Sequence, residues 1–316
     1  MSRQVLTITL NPALDHTISL PSLNVGRVNV ALEAAQTPGG KGVNVASCLA
    51  DWGVPVMASG LLGRDNAGPF VSLFEHKGIA DRFLRLPGNT RTNIKLVAQD
   101  TLDTTDINLP GVEMADSALP QLIEQLQHLV EDGQIVVLAG SLPPALQQDG
   151  YLPLLRELAT LGAEVVLDTS GEALAQVLAQ HEVLPVMIKP NRHELEDWVG
   201  RALPTLADVA TEARALNQRG IATVVVSLGG DGALLSTRQD GCWLASPLAI
   251  TPVSTVGAGD ALVAGLVAAR HAGQSWPQAL KLGTAFAAAK LQRLGPHLPP
   301  RAEVKALLEQ VQLQAL

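Results

Sequence analysis

Long apolar runs are missing from this chain of 316 residues, and so is a cleavage site near its start. No run approaches the roughly 20 residues that a bilayer-spanning helix needs, and Met1-Ser2-Arg3-Gln4 leads into only a short apolar segment. We therefore expect neither an export signal nor a membrane partner. Cysteine is scarce as well. Because Cys48 and Cys242 lack metal-site spacing, they favour a cytoplasmic protein with two buried thiols.

Positive charge is also in short supply. Lys and Arg number 22 against 30 Asp and Glu, which gives a net charge of −8 at pH 7. An acidic chain is a poor partner for nucleic acid or an anionic membrane, so the cations that hold any anionic ligand must be local. A hydrophobic content of 47% with 16% charged residues indicates a globular chain with a large core.

Several catalytic and cofactor-binding motifs are absent too. A dinucleotide fingerprint would need a glycine three residues after Gly259, where the chain has Leu262. A P-loop would need Ser or Thr after Lys41, where the chain has Gly42. There is no Cys-x-x-Cys, no Ser-His-Asp set, and no His-Glu-x-x-His, since His193-Glu194 lacks the second histidine. Redox, zinc-protease and serine-hydrolase chemistry therefore have no support in the sequence.

Strand and helix patterns alternate through most of the chain. Residues 119–130 and 154–161 have the apolar spacing of amphipathic helices, whereas buried strands are predicted for 135–139, 165–167, 186–188 and 223–226. This alternation predicts an α/β fold with a mostly parallel sheet flanked by helices. Polar clusters follow three of these strands and so fall at the carboxyl edge of the sheet, where such folds bind ligands.

The most informative stretch runs from Ser254 to Asp260 and is followed by small apolar residues. Gly257 and Gly259 permit a tight turn with exposed N–H groups, and the run after them has the composition of a buried helix. The N-terminus of such a helix attracts a phosphoryl group, and Asp260 could take a proton from an incoming hydroxyl. For the tetrapeptide alone, a loop with an Asp N-cap is an equally good interpretation.

A second glycine cluster opens a helix predicted to continue to about Trp52. Gly39 and Gly40 allow close backbone approach, Lys41 offers a point charge, and Asn44 follows one helical turn later. Glycine-rich helix starts are common in proteins of every kind. A lone lysine among glycines in an acidic chain is nevertheless a better ligand candidate than a typical surface lysine.

Two stretches predict short strands outside the main alternation. Residues 17–36 alternate weakly, and residues 90–97 alternate with period two, which places Arg91, Asn93 and Lys95 on one face. That face is either the wet side of a sheet or, together with a cation elsewhere, a phosphate site. The run 5–10 predicts a strand ending in a turn that leaves Asp15 at its carboxyl end, as a ligand or as a plain turn residue.

Four motifs in this order resemble the ribokinase-like sugar kinases of the phosphofructokinase B type. They are Gly39-Gly40-Lys41-Gly42-Val43-Asn44, Lys189-Pro190-Asn191-x-x-Glu194, Ser227-Leu228-Gly229-x-x-Gly232 and Thr255-Val256-Gly257-Ala258-Gly259-Asp260. The resemblance spans nearly the whole chain. It implies a single kinase domain over residues 1–316, with lid strands inserted at about 14–37 and 90–108. It also implies a homodimer that pairs through the lid strands.

The resemblance further implies an activity. The opening Thr-Leu-Asn-Pro-Ala-x-Asp (residues 9–15) and the strand Thr90-Arg91-x-Asn93-x-Lys95 resemble the branch that acts on phosphorylated ketohexoses. This implies transfer of a phosphoryl group from ATP, with Mg²⁺, to fructose 1-phosphate. A kinase of fructose 6-phosphate or tagatose 6-phosphate remains open, as does a non-catalytic sugar-phosphate sensor. A sensor would be expected to have lost Asp260 or its glycines, and this chain has all of them.

Carried over onto this sequence, the resemblance implies a role for each site residue. Asp260 would be the base, and Gly257, Ala258 and Gly259 the anion hole. The sugar would be bound by Asp15, Gly39, Gly40, Asn44, Asn93 and Ser141, and its existing phosphate by Lys41, Arg91 and Arg27. The nucleotide would lie on Lys189, Ser227, Gly229, Gly230, Gly232 and Thr255, with Asn191 and Glu194 organising Mg²⁺ through water. Many relatives have Asp where this chain has Ser254, which argues against activation by potassium.

Overall fold

The computed structural model describes residues 3–101, 103–111, 113–251, 253, 256–293, 295 and 297–316. Its strands are β1 (Val5–Thr9), β2 (Ala13–Leu20), β3 (Glu33–Gly39), β4 (Val56–Gly63), β5 (Ala80–Leu86), β6 (Arg91–Ala98), β7 (Thr104–Asn108), β8 (Ile135–Ala139), β9 (Glu164–Asp168), β10 (Met187–Ile188), β11 (Thr223–Ser227), β12 (Ala233–Thr237), β13 (Gly241–Ala245) and β14 (Leu313–Ala315). Its helices are α1 (Lys41–Asp51), α2 (Gly68–Lys77), α3 (Ala118–Leu129), α4 (Leu152–Thr160), α5 (Gly171–Leu178), α6 (Arg192–Val199), α7 (Leu206–Gln218), α8 (Ala258–His271), α9 (Trp276–Leu291) and α10 (Arg301–Gln310). Across the residues described, no helix combines the length and apolarity needed to cross a membrane.

Within the described residues, ten strands form one sheet in the order β14-β13-β12-β11-β10-β9-β8-β1-β4-β5. The neighbours from β11 to β5 are parallel, whereas β12, β13 and β14 extend the sheet as antiparallel strands. The prediction of a mostly parallel sheet is confirmed. The antiparallel extension was not predicted, because every position of β12 is buried and the strand therefore shows no period-two pattern.

Helices cover both faces of this sheet. Val136 and Leu138 of β8 belong to one hydrophobic cluster, and Val137 and Ala139 belong to another, because successive side chains point to opposite faces. Helices α3 to α7 contribute to the first cluster, and α1, α2, α8, α9 and α10 contribute to the second. The core is therefore divided into two layers by the sheet, as an α/β architecture requires.

Helix α8 is buried along most of its length, from Asp260 to Ala269. A Cβ atom built on Gly265 would lie 2.6 Å from the Cα atom of Gly283 in α9. Since the two helix backbones touch at this point, neither helix can shift past the other without a clash. The contact holds the N-terminus of α8 in a defined position above the sheet.

A second sheet has the order β3-β2-β6-β7 within the part of the chain that the structure describes. Its strands lie at the two places where the sequence predicted exposed strands, and all five residues of β7 are exposed. The prediction that Asp15 lies in a turn is wrong. Ala13 already pairs with Gly39 and Arg91, so β2 begins before Asp15, and Asp15 itself lies opposite Thr37 and Asn93.

The stability of the main sheet should depend on Gly60, which pairs with the last residue of β1. Gly60 has a φ of 128°, and a Cβ atom there would lie 1.9 Å from the carbonyl oxygen of Thr9. We expect Gly60→Ala to lower the free energy of unfolding by about 3 kcal/mol or more, because backbone strain and overpacking add. Chemical denaturation measures this. Gly68→Ala in α2, where a Cβ would meet open space, is the control, and an equal loss in both variants would contradict the prediction.

Candidate active site

The predicted base lies where three segments of the fold meet. Asp260 is the third residue of α8, whose N-cap is Gly257 with a φ of 79°. The side-chain amide of Asn44, one turn into α1, donates a hydrogen bond of 2.7 Å to Oδ2 of Asp260. Asn44 was predicted to bind a sugar hydroxyl, and in the structure its side-chain amide is bonded to the carboxylate of the predicted base.

Burial gives Asp260 an unusual pKa. The residue is 7% exposed, and desolvation, followed by the negative charge of Asp168, raises its pKa to about 6. The hydrogen bond from Asn44 and the positive charges of Lys41 and Lys189 act in the opposite direction. A carboxylate with a pKa closer to neutral than usual is a stronger base and is suited to accept a proton from a hydroxyl group.

The turn before α8 has the features of an anion site. The first amide groups of a helix have no intrahelical acceptor, and the helix dipole is positive at this end. A Cβ atom on Gly259 would lie 3.6 Å from Nζ of Lys189, which places an ammonium group beside the turn. Gly257, Ala258 and Gly259 therefore form a turn whose charge and geometry suit a phosphoryl group.

Asp168, which the sequence did not single out, connects the cations of this site. Its Oδ1 atom lies 3.2 Å from Nζ of Lys41 and 3.4 Å from Nζ of Lys189, and its side chain is 1% exposed. Its Oδ2 atom has no hydrogen-bond partner among the described residues. Asp168 follows the apolar run that predicted β9, so the rule that ligands bind at the carboxyl ends of parallel strands could have identified it.

Lys41 is held close to the base. Burial lowers its pKa, but the charges of Asp168, Asp260 and Glu194 outweigh burial, so that the pKa of Lys41 is raised overall. The ammonium group is therefore charged at neutral pH and faces three carboxylates at the carboxyl edge of the sheet. Its prediction as a ligand of the phosphate already on the sugar is not tested by these contacts.

Arg91 lies on the other side of residues 140–141. Its guanidinium donates hydrogen bonds to the carbonyl oxygens of Asn11 at 3.2 Å and Pro12 at 3.4 Å, and to Oγ of Ser141 at 3.4 Å. A further bond of 3.3 Å reaches the carbonyl oxygen of Leu109. Arg91 therefore links the small sheet to the segment after β1, and it lies within hydrogen-bond distance of Ser141, another residue predicted to bind the substrate.

Asp15 and Asn93 meet across β2 and β6. The amide of Asn93 donates a 3.1 Å hydrogen bond to Oδ1 of Asp15, and burial raises the pKa of Asp15. A Cβ atom on Gly39 would lie 2.7 Å from Oδ2 of Asp15, so a larger residue there would displace the carboxylate from its present position. Gly40 is the N-cap of α1, with a φ of 117°.

Arg27, which was predicted to bind the phosphate on the sugar, lies in an exposed loop between β2 and β3. Its side chain has no hydrogen bond or ion pair within the described residues.

The predicted nucleotide side has both structured and open parts. Asn191 and Glu194 form a capping box at the start of α6, with bonds of 2.9 Å and 2.8 Å. Ser227 ends β11, and the next turn contains Gly229, Gly230 and Gly232. Gly229 and Gly230 face open space, whereas a Cβ on Gly232 would lie 2.1 Å from the carbonyl oxygen of Ala245. Ser254 and Thr255 lie outside the described residues.

The described residues contain no group of three or more His, Cys, Asp or Glu side chains placed to hold a metal ion. Besides Asp260, the acidic groups that act on Lys41 are Asp168, whose Oδ2 atom has no hydrogen-bond partner among the described residues, and Glu194. Magnesium retains water and substrate phosphates as ligands rather than needing a cage of protein side chains. These residues therefore fit a magnesium ion that arrives with a nucleotide.

Comparison with known proteins agrees with this geometry. The model of the pfkB family of carbohydrate kinases matches residues 9–302. A 1-phosphofructokinase of Xanthomonas campestris pv. campestris is 46% identical over 294 residues, covering 92% of each chain. The 1-phosphofructokinase of Escherichia coli K12 is 38% identical, covering 99% of each chain. The structure of phosphofructokinase-2 from Escherichia coli with fructose-6-phosphate has a TM-score of 0.89 at 28% identity, covering 98% of this chain and 99% of that chain.

The chain therefore belongs to the pfkB family of carbohydrate kinases. Membership confirms the predicted ribokinase-like α/β fold and makes the chain an ATP-dependent sugar kinase. The comparisons do not test the roles of individual site residues, which remain predictions.

The pKa of Asp260 predicts how activity depends on pH. Protonated Asp260 cannot accept a proton, so kcat/KM should fall by about tenfold per pH unit below a midpoint of about 6. This acidic limb of the pH profile should begin at a higher pH than an ordinary aspartate would give, because burial raises the pKa of Asp260. Rates measured from about pH 5 to 9 in a buffer of constant ionic strength test this.

Asp168→Asn provides the comparison for this prediction. Removing the negative charge of Asp168 lowers the pKa of Asp260 and should move the midpoint to lower pH in the residual activity. A midpoint that stays in place in Asp168→Asn would show that another group controls the acid limb.

Proposed function

We propose that this kinase transfers the γ-phosphoryl group of ATP to the free 6-hydroxyl of fructose 1-phosphate, giving fructose 1,6-bisphosphate in the cytoplasm. The observation that carries the proposal is the buried carboxylate of Asp260 at the N-terminus of α8, beside the cations of Lys41 and Lys189. Relatives named 1-phosphofructokinase that align over nearly the whole chain support the choice of substrate.

The reaction needs one proton acceptor and an environment that stabilises phosphoryl charge. Asp260 takes the proton of the sugar hydroxyl while that oxygen bonds to phosphorus and the bond to the ADP oxygen breaks. Asn44 keeps the carboxylate aimed by its 2.7 Å hydrogen bond. The N–H groups of the turn from Gly257 to Gly259 face the charge on the transferred group, in the manner of an oxyanion hole.

The substrate side uses a different set of groups. Arg91 and Lys41, with Arg27, bind the phosphate already on the sugar, and Arg91 suits this role because its planar fork matches phosphate oxygens. Asp15, Asn93, Ser141, Gly39 and Gly40 contact the sugar itself. The hydrogen bonds of Arg91 to Ser141 and to the chain after β1 support this placement, since they hold its guanidinium next to the carboxyl edge.

The nucleotide lies along the carboxyl ends of β10 and β11. Lys189 reaches its phosphates, and Ser227, Gly229, Gly230 and Gly232 line the remainder, while Thr255 is assigned to the nucleotide by the sequence motif alone. Glu194 and Asn191, with Asp168 nearby, would hold a magnesium ion through water, and the ion would supply positive charge that neutralises the nucleotide phosphates. The open surface at Gly229 and Gly230 supports this assignment, because the planar base of the nucleotide can lie only against backbone that no side chain covers.

A substrate panel tests the proposed function. ADP formation is measured with fructose 1-phosphate, fructose 6-phosphate, tagatose 6-phosphate and fructose, and the first should have the highest kcat/KM. Preference for fructose 6-phosphate would instead favour the substrate named for the Escherichia coli phosphofructokinase-2 structure.

Asp260→Asn should lower kcat by about two orders of magnitude or more, whereas the affinities for the sugar phosphate and for ATP should stay within a few-fold of wild type. Turnover near wild type in this variant would remove Asp260 from its role.

Arg91→Ala should raise KM for fructose 1-phosphate by about tenfold or more, because partly desolvated charged contacts are worth about 2 to 5 kcal/mol. KM for ATP should change little, and the weak reaction of unphosphorylated fructose should lose little further. Arg85→Ala, a similar truncation on β5 where Arg85 pairs with Asp81, is the control. If activity on fructose and on fructose 1-phosphate fell equally, Arg91 would have only a structural role, in which its four hydrogen bonds hold the small sheet against the rest of the protein.

We further propose that the chain acts as one kinase domain, with the small sheet as a lid that joins two copies into a homodimer. The loop between β2 and β3 exposes Val25 at 91%, Val28 at 94% and Val30 at 77%. Ile107 and Leu109, in and after β7, are exposed as well. Exposed apolar residues concentrated on one small sheet are typical of a surface that a partner covers.

The combined substitution Val28→Asp and Val30→Asp should produce a monomer, since buried unpaired carboxylates oppose association. Light scattering after gel filtration measures the mass at micromolar concentration. Leu316→Asp, which changes an apolar residue exposed at 42% outside the lid, should leave the mass of the wild-type dimer unchanged. A wild-type protein that is already monomeric would refute the dimer.

A further inference from the structure

Lys290 is a buried lysine that the mechanism above does not use. It lies in the last turn of α9 and is 4% exposed. A Cβ atom built on Gly257 would lie 3.2 Å from Cε and 3.9 Å from Nζ of Lys290. The same point is 4.0 Å from Oδ2 of Asp260. The ammonium group of Lys290 and the carboxylate of the base therefore both approach the turn that begins α8.

The charge of Lys290 is unfavourable for the stability of α8. A helix N-terminus carries a partial positive charge, so a cation next to it is repelled. An ammonium group removed from water also loses solvation, and burial lowers the pKa of Lys290, with Cys48 and Asp260 acting in the opposite direction. In the part of the chain that the structure describes, its hydrogen bond is to the carbonyl oxygen of Arg293, at 3.1 Å.

We propose that Lys290 is a positioning residue for phosphoryl transfer: its ammonium group supplies a fixed positive charge against the turn from Gly257 to Gly259 and strengthens the binding of the transferred group there. This inference rests on the proposed function, in which that turn binds the γ-phosphoryl group. Lys290 needs no direct contact with the phosphoryl group, because a charge acts through a low-dielectric interior over several ångströms. The arriving negative charge in turn favours the protonated lysine.

The effect of Lys290 belongs mainly to the transition state. Negative charge on the transferred group spreads over its equatorial oxygens as the bond to ADP breaks, and donors and charges fixed in advance around them cost no reorganisation. Loss of the Lys290 charge should therefore reduce kcat more than it weakens the binding of either substrate. This distinguishes Lys290 from Arg91, whose loss is expected to raise KM for the sugar.

A purely structural role makes opposite predictions. Lys290 is a basic residue in the last turn of α9, where a cation interacts favourably with the helix dipole, and its bond to Arg293 caps the chain leaving that helix. A lysine kept for this reason would contribute to stability and would affect turnover only as far as folding is impaired. Stability and turnover must therefore be measured on the same variants.

The first experiment compares Lys290→Met with Lys281→Met. Methionine retains much of the side-chain length and removes the charge, and Lys281 lies earlier in α9, with no hydrogen bond or ion pair among the described residues. For Lys290→Met we expect kcat to fall about 30-fold or more, KM for both substrates to stay within about threefold, and the unfolding temperature to stay the same or rise. Lys281→Met should match wild type in all three.

The second experiment supplies the missing cation. Lys290→Ala leaves space at the position of the ammonium group, so added ammonium or methylammonium should restore kcat several-fold, whereas the larger tetramethylammonium should not. Lys290→Arg, which keeps the charge, should retain more activity than Lys290→Met. If Lys290→Ala does not fold, the comparison of kcat between Lys290→Met and Lys290→Arg still tests whether the charge at this position is needed.

Two outcomes would overturn the inference. One is a kcat for Lys290→Met within about threefold of wild type, and the other is a loss of kcat that accompanies an equal loss of stability and is not restored by small cations. Both differ from failure of the proposed function. A wild-type protein without activity on fructose 1-phosphate would reject that substrate, and the Lys290 comparison would then be made on the phosphosugar it does use.

Discussion

The site depends on keeping a carboxylate charge in a place where water does not stabilise it. Asp260 is buried at the N-terminus of α8, where the helix dipole favours an anion but desolvation opposes one. Desolvation, followed by the negative charge of Asp168, is the stronger influence and raises the pKa of Asp260 to about 6, which makes its carboxylate a stronger base. Asn44, Lys41 and Lys189 act in the opposite direction and favour the charged form of Asp260, so residues from three segments of the fold determine its pKa.

Asp168 shows how an acidic protein provides a cationic site. The chain carries a net charge of −8, yet Lys41 and Lys189 are drawn to one point because they share Oδ1 of Asp168. The shared carboxylate offsets the repulsion between two ammonium groups at short distance. Asp168 also raises the pKa of Asp260, so a single buried residue influences both the two lysine side chains and the carboxyl group of Asp260.

Much of the fold could be predicted from apolar spacing, because β8, β9 and β11 are short buried runs and α3 and α4 have clear amphipathic periods. The strand β12 could not be predicted in this way, since burial on both faces removes alternation. Asp15 was misplaced because the chain leaves β1 and enters β2 after only three residues, which is too short for the predicted turn.

Sequence reasoning could propose site residues where a charged side chain lies next to a cluster of glycines, as Lys41 and Asp260 do. Asp168 and Lys290 carry no such local signal, because their partners are distant in sequence: Lys41 lies 127 positions before Asp168, and the turn at Gly257 belongs to another helix from Lys290. Arg91 is held by long-range hydrogen bonds, whereas the side chain of Arg27 makes none within the described residues, so their assignment to one phosphate remains a prediction.

The contact between Gly265 and Gly283 has a consequence for movement during the catalytic cycle. Because the backbones of α8 and α9 touch, the turn that carries the base cannot approach a substrate without dislocating the core. Any closure that excludes water from the reaction must therefore be made by the small sheet, whose strand β7 is fully exposed. In such a closure, α8 would stay fixed with Asp260, and the small sheet would move with Arg91 and Asp15. The substrate would then select the closed arrangement by bridging the two.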